Sequence, residues 1–146
     1  IARETGVELV DYFARPELAV YNAIPTAEGC IGILLKERTR TLWGTNLLVL
    51  GFGPVGQALA VRLAVLGAAV TVCARRTAPV LAALRPGSLF VDLASKPGGT
   101  DFEAARRLRC RAIHALSLPA ACAPETAGEA VARTVITILR EREGQT

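Results

Sequence analysis

The chain contains no methionine and one histidine, and aromatic residues make up 5% of its 146 positions. With so few rings, and no interleaving of rings with basic residues, a surface that stacks single-stranded nucleic acid is excluded. No uninterrupted apolar run reaches the roughly 18 residues a bilayer-spanning helix needs, so a soluble globular chain with no membrane partner is expected. Cys30, Cys73, Cys110 and Cys122 lie far apart, with no C-x-x-C and no second histidine. That excludes a zinc site or a disulfide framework, and predicts no metal and four reduced, packed thiols in a cytoplasmic protein. The opening residues, Ile1 to Gly6, lack the apolar core of a signal peptide. A start at Ile1 without any methionine suggests an internal or C-terminal piece of a longer polypeptide.

What is present is one domain's worth of chain, long enough to bury a real core. Net charge is +4. The basic residues are scattered, apart from Arg75-Arg76 and the group Arg106, Arg107, Arg109 and Arg111, which is too diffuse for a nucleic-acid footprint.

Val7 to Phe13 alternates like a strand closed by Arg15-Pro16, so residues 1–15 are read as the end of a preceding N-terminal domain. Residues 16–146 then form one dinucleotide-binding domain. Its first helix is expected from Ile24-Pro25-Thr26 to about Lys36, with Thr26 or a neighbour as cap and Ile31, Leu34 and Leu35 at helical spacing. Leu47 to Leu50 is a short apolar run ending in glycine, as in a parallel strand buried on both faces. A helix over Pro54 to Leu66 and a strand over Val70 to Cys73 follow. Next come a short helix over Ala78 to Leu84, a strand over Leu89 to Leu93 and a helix over Asp101 to Leu108. Arg111 to Ala115 suits a fourth strand, and Pro124 to about Arg142 a terminal helix. Strands alternating with helices predict an α/β fold with a doubly wound, Rossmann-type parallel sheet. One interval is too short: only three residues separate Ala74, near which the second strand ends, from the Ala78 helix. About 30 to 35 residues, one β-α unit and its return, are missing by comparison with a complete sheet.

Gly51-Phe52-Gly53-Pro54-Val55-Gly56 is a G-x-G-x-x-G set between the first strand and an amphipathic helix. Gly51 permits the tight turn, Gly53 lets the backbone approach a pyrophosphate, and Gly56 allows close packing of helix on strand. Pro54 and Val55 open the helix whose amides and dipole attract the anion. An NAD site usually ends its second strand in a carboxylate; here that position is Ala74, followed by Arg75 and Arg76. Two arginines with no opposing carboxylate suit a 2′-phosphate and predict NADP as the cofactor.

The run Val91-Asp92-Leu93-Ala94-Ser95-Lys96-Pro97-Gly98-Gly99-Thr100-Asp101 sits at the carboxyl end of a strand, where open α/β sheets bind ligands. Ser95 and Lys96 offer a hydroxyl and a cation, and Gly98 and Gly99 let the backbone turn closely. The plain alternative is a capped turn into the next helix, with Lys96 in solvent. His114, at a strand end, can act as an acid or base near neutral pH, but a lone histidine is more often structural.

Asn22 to Gly29, the glycine loop, Asp92 to Phe102, and Leu118-Pro119 through Ala123-Pro124-Glu125-Thr126-Ala127-Gly128 together resemble the dipicolinate synthase A subunit family. The resemblance covers the C-terminal nucleotide domain and the end of the N-terminal one. It implies an NADP-dependent oxidoreductase of bacterial sporulation that forms dipicolinate from a cyclic intermediate of lysine biosynthesis. The implied partners are a small dicarboxylate substrate, further copies in an optional homo-oligomer, and a flavoprotein-like B subunit. On that basis Ser95 and Lys96 are the catalytic candidates, with Thr26, Lys96, Gly98 and Gly99 on the substrate side. The chain departs from the family's Gly-Leu-Pro-Gly at Ser117-Leu118-Pro119-Ala120 and carries Glu125 in place of a lysine. With a β-α unit missing and the N-terminal domain not included, activity of this piece alone is not expected. Two other readings stand beside it: a two-domain hydroxy-acid or shikimate-type dehydrogenase, and a non-catalytic nucleotide-binding module.

Overall fold

The computed structural model describes residues 9–73 and 87–144. The chain enters through a short 3-10 turn, Tyr12–Ala14, and then runs through helix α1 (Pro16–Glu37), strand β1 (Asn46–Leu50), helix α2 (Pro54–Val65) and strand β2 (Ala69–Cys73). Strand β3 (Leu89–Asp92), helix α3 (Phe102–Arg107), strand β4 (Arg111–His114), helix α4 (Leu118–Cys122) and helix α5 (Pro124–Glu143) complete it. The expected Ala78–Leu84 helix lies outside the described residues.

Among the described residues all strand pairing is parallel, as the β-α alternation predicts. Asn46 to Leu50 pair with Ala69 to Cys73, and Leu89 to Asp92 with Arg111 to His114. Among the described residues these form two two-stranded sheets rather than one continuous ladder. Two strands cannot sustain themselves in water, so side-chain packing has to join them. Ala27, Cys30 and Leu34 of α1 meet Val49 of β1, Leu59 and Leu63 of α2, and Ala115 and Leu118 beyond β4 in a single cluster, with Leu89, Val91 and Leu93 against it. The spacing of Ala23, Ala27, Cys30 and Leu34, each buried, is that of one helix face.

Helix α1 starts well before the expected Ile24 and passes through Pro25, which is fully buried. Proline removes one backbone donor and usually ends a helix, but here it lies inside the packed face. The helix has the length and apolar composition of a membrane-spanning segment; one face of it packs against α2, α4 and α5. At the N-terminus the strand expected to reach Phe13 is absent among residues 9–13. The Asp11 carboxylate accepts the Phe13 N–H at 2.9 Å and turns the chain into the 3-10 segment instead. The four cysteines form no disulfide; Cys30 and Cys110 are buried, Cys73 is half-buried and Cys122 is exposed, correcting the expectation that all four are packed. Burial pushes the Cys30 thiol up to about 11.

Leu63 is 2% exposed in the middle of the shared cluster. Leu63→Ala is expected to lower the unfolding free energy by about 2 to 5 kcal/mol, read from urea denaturation followed by circular dichroism. A loss under about 1 kcal/mol would show that the two sheets are not held by this core.

Candidate functional site

The glycine loop follows β1 directly. Gly51 has φ +97°, a left-handed conformation that a side chain would resist, and its N–H donates to the Cys73 carbonyl at 2.8 Å, extending the β1–β2 ladder. A Cβ on Gly56 would lie 2.3 Å from the Gly51 carbonyl oxygen, so a side chain there cannot coexist with this turn. Gly53 differs: nothing approaches within 4 Å of its missing Cβ, and it caps α2 without any side-chain hydrogen bond to the first turn. Pro54 occupies the first helical position, where its missing N–H costs nothing. The first-turn amides of α2, including that of Val55, therefore face outward with the positive end of the helix dipole. Gln57 braces the loop by donating from Nε2 to the Phe52 carbonyl at 2.9 Å. Arg75 and Arg76, the expected phosphate selectors, lie outside the described residues.

A cavity of about 420 Å³ opens where the carboxyl ends of β3 and β4 meet α1, α4 and α5. Its polar groups are Asn22 and Thr26 of α1, Ser95 of the loop after β3, and Ser117 before α4; the remaining lining is apolar, and no charged side chain lines it among the described residues. The Thr26 hydroxyl donates to the Asn22 carbonyl at 2.6 Å, so its proton is committed and its lone pairs remain free to accept. Of the residues expected on the substrate side, Thr26 lines this cavity together with Ser95. Lys96 is exposed in the same loop and, like Gly98 and Gly99, does not contribute to the lining.

Sequence motifs single out neither Asn22 nor Ser117 as a site residue. Ser117 does carry a signal, because the resemblance implies a glycine at that position. Its φ of +56° and ψ of +31° are left-handed, which accounts for glycine at that position and marks the serine as strained.

The loop carrying Ser95 closes on Asp92, which is 5% exposed. Its carboxylate accepts the N–H groups of Ala94 and Gly99, each at 2.9 Å, and the Thr100 hydroxyl. Burial alone would raise its pKa; these hydrogen bonds and the nearby His114 outweigh burial and hold the carboxyl below its ordinary value. His114 Nε2 lies 2.8 Å from the Ala94 carbonyl oxygen, and its ring leans on Phe102 with centroids 5.6 Å apart.

No family model matches this chain. The dipicolinate synthase A subunit of Bacillus subtilis (strain 168) is 32% identical to it over 184 residues, covering 99% of this chain and 62% of that protein. That stretch is longer than the 146 residues here, so the relative carries residues without a counterpart, a surplus of about one β-α unit and its return. The crystal structure of the same Bacillus subtilis protein superposes with a TM-score of 0.90 at 31% identity, over 99% of this chain and 62% of that one. The dipicolinate synthase A subunit of Bacillus halodurans gives 0.85 at 32% identity, over 94% of this chain and 61% of that one. The resemblance carried by the motifs thus extends along nearly the whole chain in sequence and in fold, while the chain spans less than two thirds of each relative.

A carboxylate with a lowered native pKa contributes stability that is present above its unfolded value near ~3.9 and is lost as pH falls through the native value. Asp92→Asn is therefore expected to be less stable at pH 7 by about 1 to 3 kcal/mol, with the deficit shrinking below pH ~4; a deficit independent of pH would contradict this. Ser117→Gly relieves a left-handed serine and is expected to stabilise the fold by about 1 kcal/mol. An unchanged denaturation midpoint would mean that the serine carries no strain.

Proposed function

We propose that this chain is the nucleotide-binding part of a dipicolinate synthase A subunit, which acts as an oxidoreductase using NADP(H) on a small cyclic dicarboxylate. The observation that carries the reading is the glycine loop: Gly51 and Gly56 are locked against each other, while Gly53 leaves open space over the uncapped start of α2. Such a cradle fits a pyrophosphate, whose charge meets backbone N–H groups and the helix dipole with no Cβ in the way. The neighbouring Arg75-Arg76 pair, following Ala74 rather than a carboxylate, favours a 2′-phosphate on the ribose. Bound there, the nicotinamide cofactor supplies a hydride acceptor for oxidation of a partly reduced ring.

The chain's own residues supply binding and orientation. The apolar walls of the cavity suit a flat ring. Ser95 and Ser117, whose hydroxyls have no side-chain hydrogen bond shown among the described residues, can donate to the substrate's carboxylates, and Lys96 beside Ser95 adds a cation at the exposed end. Thr26, its proton engaged by Asn22, accepts from a ring N–H or hydroxyl. The relatives carry the name of one component of a multi-subunit enzyme; the reading extends to a cytoplasmic setting and to partnership with a B subunit.

Titration of the full-length protein, with its N-terminal domain, is expected to show tighter binding of NADPH than of NADH. Equal or tighter NADH binding would remove the NADP assignment, and binding of neither would remove the nucleotide reading. Gly53→Ala should weaken binding by about tenfold with the melting temperature nearly unchanged, because the added methyl enters space meant for the ligand. Gly56→Ala should instead lower the melting temperature, because its methyl meets the Gly51 carbonyl.

A further inference from the structure

Ser95 reaches the cavity on a loop with no regular structure of its own, and behind that loop stand Asp92 and His114, neither of which lines the cavity. The loop leaves β3 at Asp92 and enters α3 at Phe102, and its two ends are gathered on one carboxylate. Asp92 takes the Ala94 N–H from the outgoing arm and the Gly99 N–H and Thr100 hydroxyl from the returning arm. His114, at the end of the paired strand β4, reaches the same outgoing arm from the other side, 2.8 Å from the Ala94 carbonyl oxygen. A carbonyl oxygen only accepts, so Nε2 must carry the proton. The imidazole is packed against Phe102, and Gly98 fits because a Cβ there would lie 3.0 Å from Asp92 Oδ2 and 3.4 Å from His114 Cε1. Gly98 is also left-handed, at φ +100°. The N–H and the carbonyl of Ala94 are thus both held, immediately before Ser95.

We propose that Asp92 and His114 form a clasp that fixes the 94–100 loop and so sets Ser95 at the cavity wall, with His114 a positioning residue acting through Ala94 rather than a proton-transfer group. The clasp stands on its own hydrogen bonds; its effect on a ligand rests on the reading of the cavity as the substrate site. The geometry also commits the Asp92 oxygens and the His114 Nε2 proton to the loop rather than to the cavity.

His114 is the one histidine in this chain, so in the uniformly labelled chain its ring gives the sole imidazole signals in a long-range proton–nitrogen spectrum. The clasp requires the Nε2–H tautomer of the neutral ring; a neutral ring protonated at Nδ1 alone overturns it. His114→Gln, whose side-chain amide can also donate to the Ala94 carbonyl, is expected to keep the backbone amide signals of Ser95, Gly98 and Gly99 close to their original positions. His114→Leu, which fills space without a donor, is expected to shift and broaden them, and unshifted signals in that variant also overturn the proposal. Gly98→Ala provides a second test that leaves both polar groups in place and should disturb the same amides.

Pyridine-2,6-dicarboxylate serves as the binding probe, in calorimetry on the full-length protein. Affinity should fall by about tenfold in His114→Leu, the scale of one lost hydrogen bond, and stay within about twofold in His114→Gln. Equal loss of turnover in both variants, at unchanged affinity, would assign His114 to proton transfer and overturn the clasp. If the probe fails to bind the unmodified protein, the cavity reading falls, while the tautomer and the amide signals still decide the clasp.

Discussion

Burial of one face of α1 is the contact on which both halves of the parallel architecture depend. Ala27, Cys30 and Leu34 on that face meet Val49 from one strand pair and Ala115 and Leu118 from the segment that follows the other. No backbone ladder joins β1 to β3 among the described residues, so this apolar cluster does the joining. Small side chains matter as much as large ones. Ala27 is 0% exposed, and a Cβ on Gly29 would come within 3.1 Å of the Cys122 sulfur and 3.2 Å of Leu118 Cβ. Helix α4 therefore lies close over α1, and the cavity forms just beside that approach, taking Asn22 and Thr26 from α1 and Ser117 and Pro119 from the start of α4. Ion pairs such as Arg111 with Glu37 and Arg15 with Glu141 link the same elements at the surface, where such pairs contribute little.

The parts legible in the sequence are those whose chemistry is local. The first strand, the glycine loop and α2 follow from a short apolar run, three glycines with separate steric duties and a proline at the first helical position, and all are found in place; the run is not buried on both faces as expected, because Val49 is buried while Leu48 is 43% exposed. Asp101, expected in the first turn of a helix, stands as its cap, accepting the Ala104 N–H at 2.9 Å. Local rules fail where tertiary burial overrides them. Pro25 reads as a helix start because its backbone disfavours an interior position, yet α1 runs through it. Asp11 reads as a polar position on an alternating strand, yet its carboxylate bends the chain. Helix α4 is five residues long, too short to carry a hydrophobic period, and no sequence signal announces it.

The cavity is only half legible, for a topological reason. Its lining runs from Phe13 to Val131 and draws on five separate stretches of chain, and no spacing rule brings such residues together. Thr26 and Ser95 can be reached because each sits inside a motif. Gly98 does sit where the backbone must turn tightly, but what it turns around is the protein's own Asp92; a Cβ on Gly99 would make only ordinary contacts, and that residue serves through its N–H to the same carboxylate. A glycine pair in sequence signals close approach without saying to what.

The two hydroxyl-bearing ends of the cavity are set by different means, and the difference bears on how selective it can be. At Ser95 the backbone is held by partners: Asp92 and His114 take up both polar groups of the preceding residue, the Asp92 bond part-buried and the His114 bond exposed. At Ser117 the backbone is held against its own preference, in a left-handed conformation imposed by the chain on either side. Asn22 is tied through its carbonyl to Thr26, whose proton is thereby spent. Among the described residues no charged group lines the cavity, so a ligand bound there, on the proposed reading, meets a few hydroxyl and amide groups at fixed points on apolar walls. Discrimination must then come from the placement of those donors and acceptors rather than from net charge, because a misplaced partner leaves a desolvated polar group unpaired. The long-range attraction of an anion falls instead to exposed cations such as Lys96 outside the cavity, where charge acts on the approach of a ligand more than on its final fit.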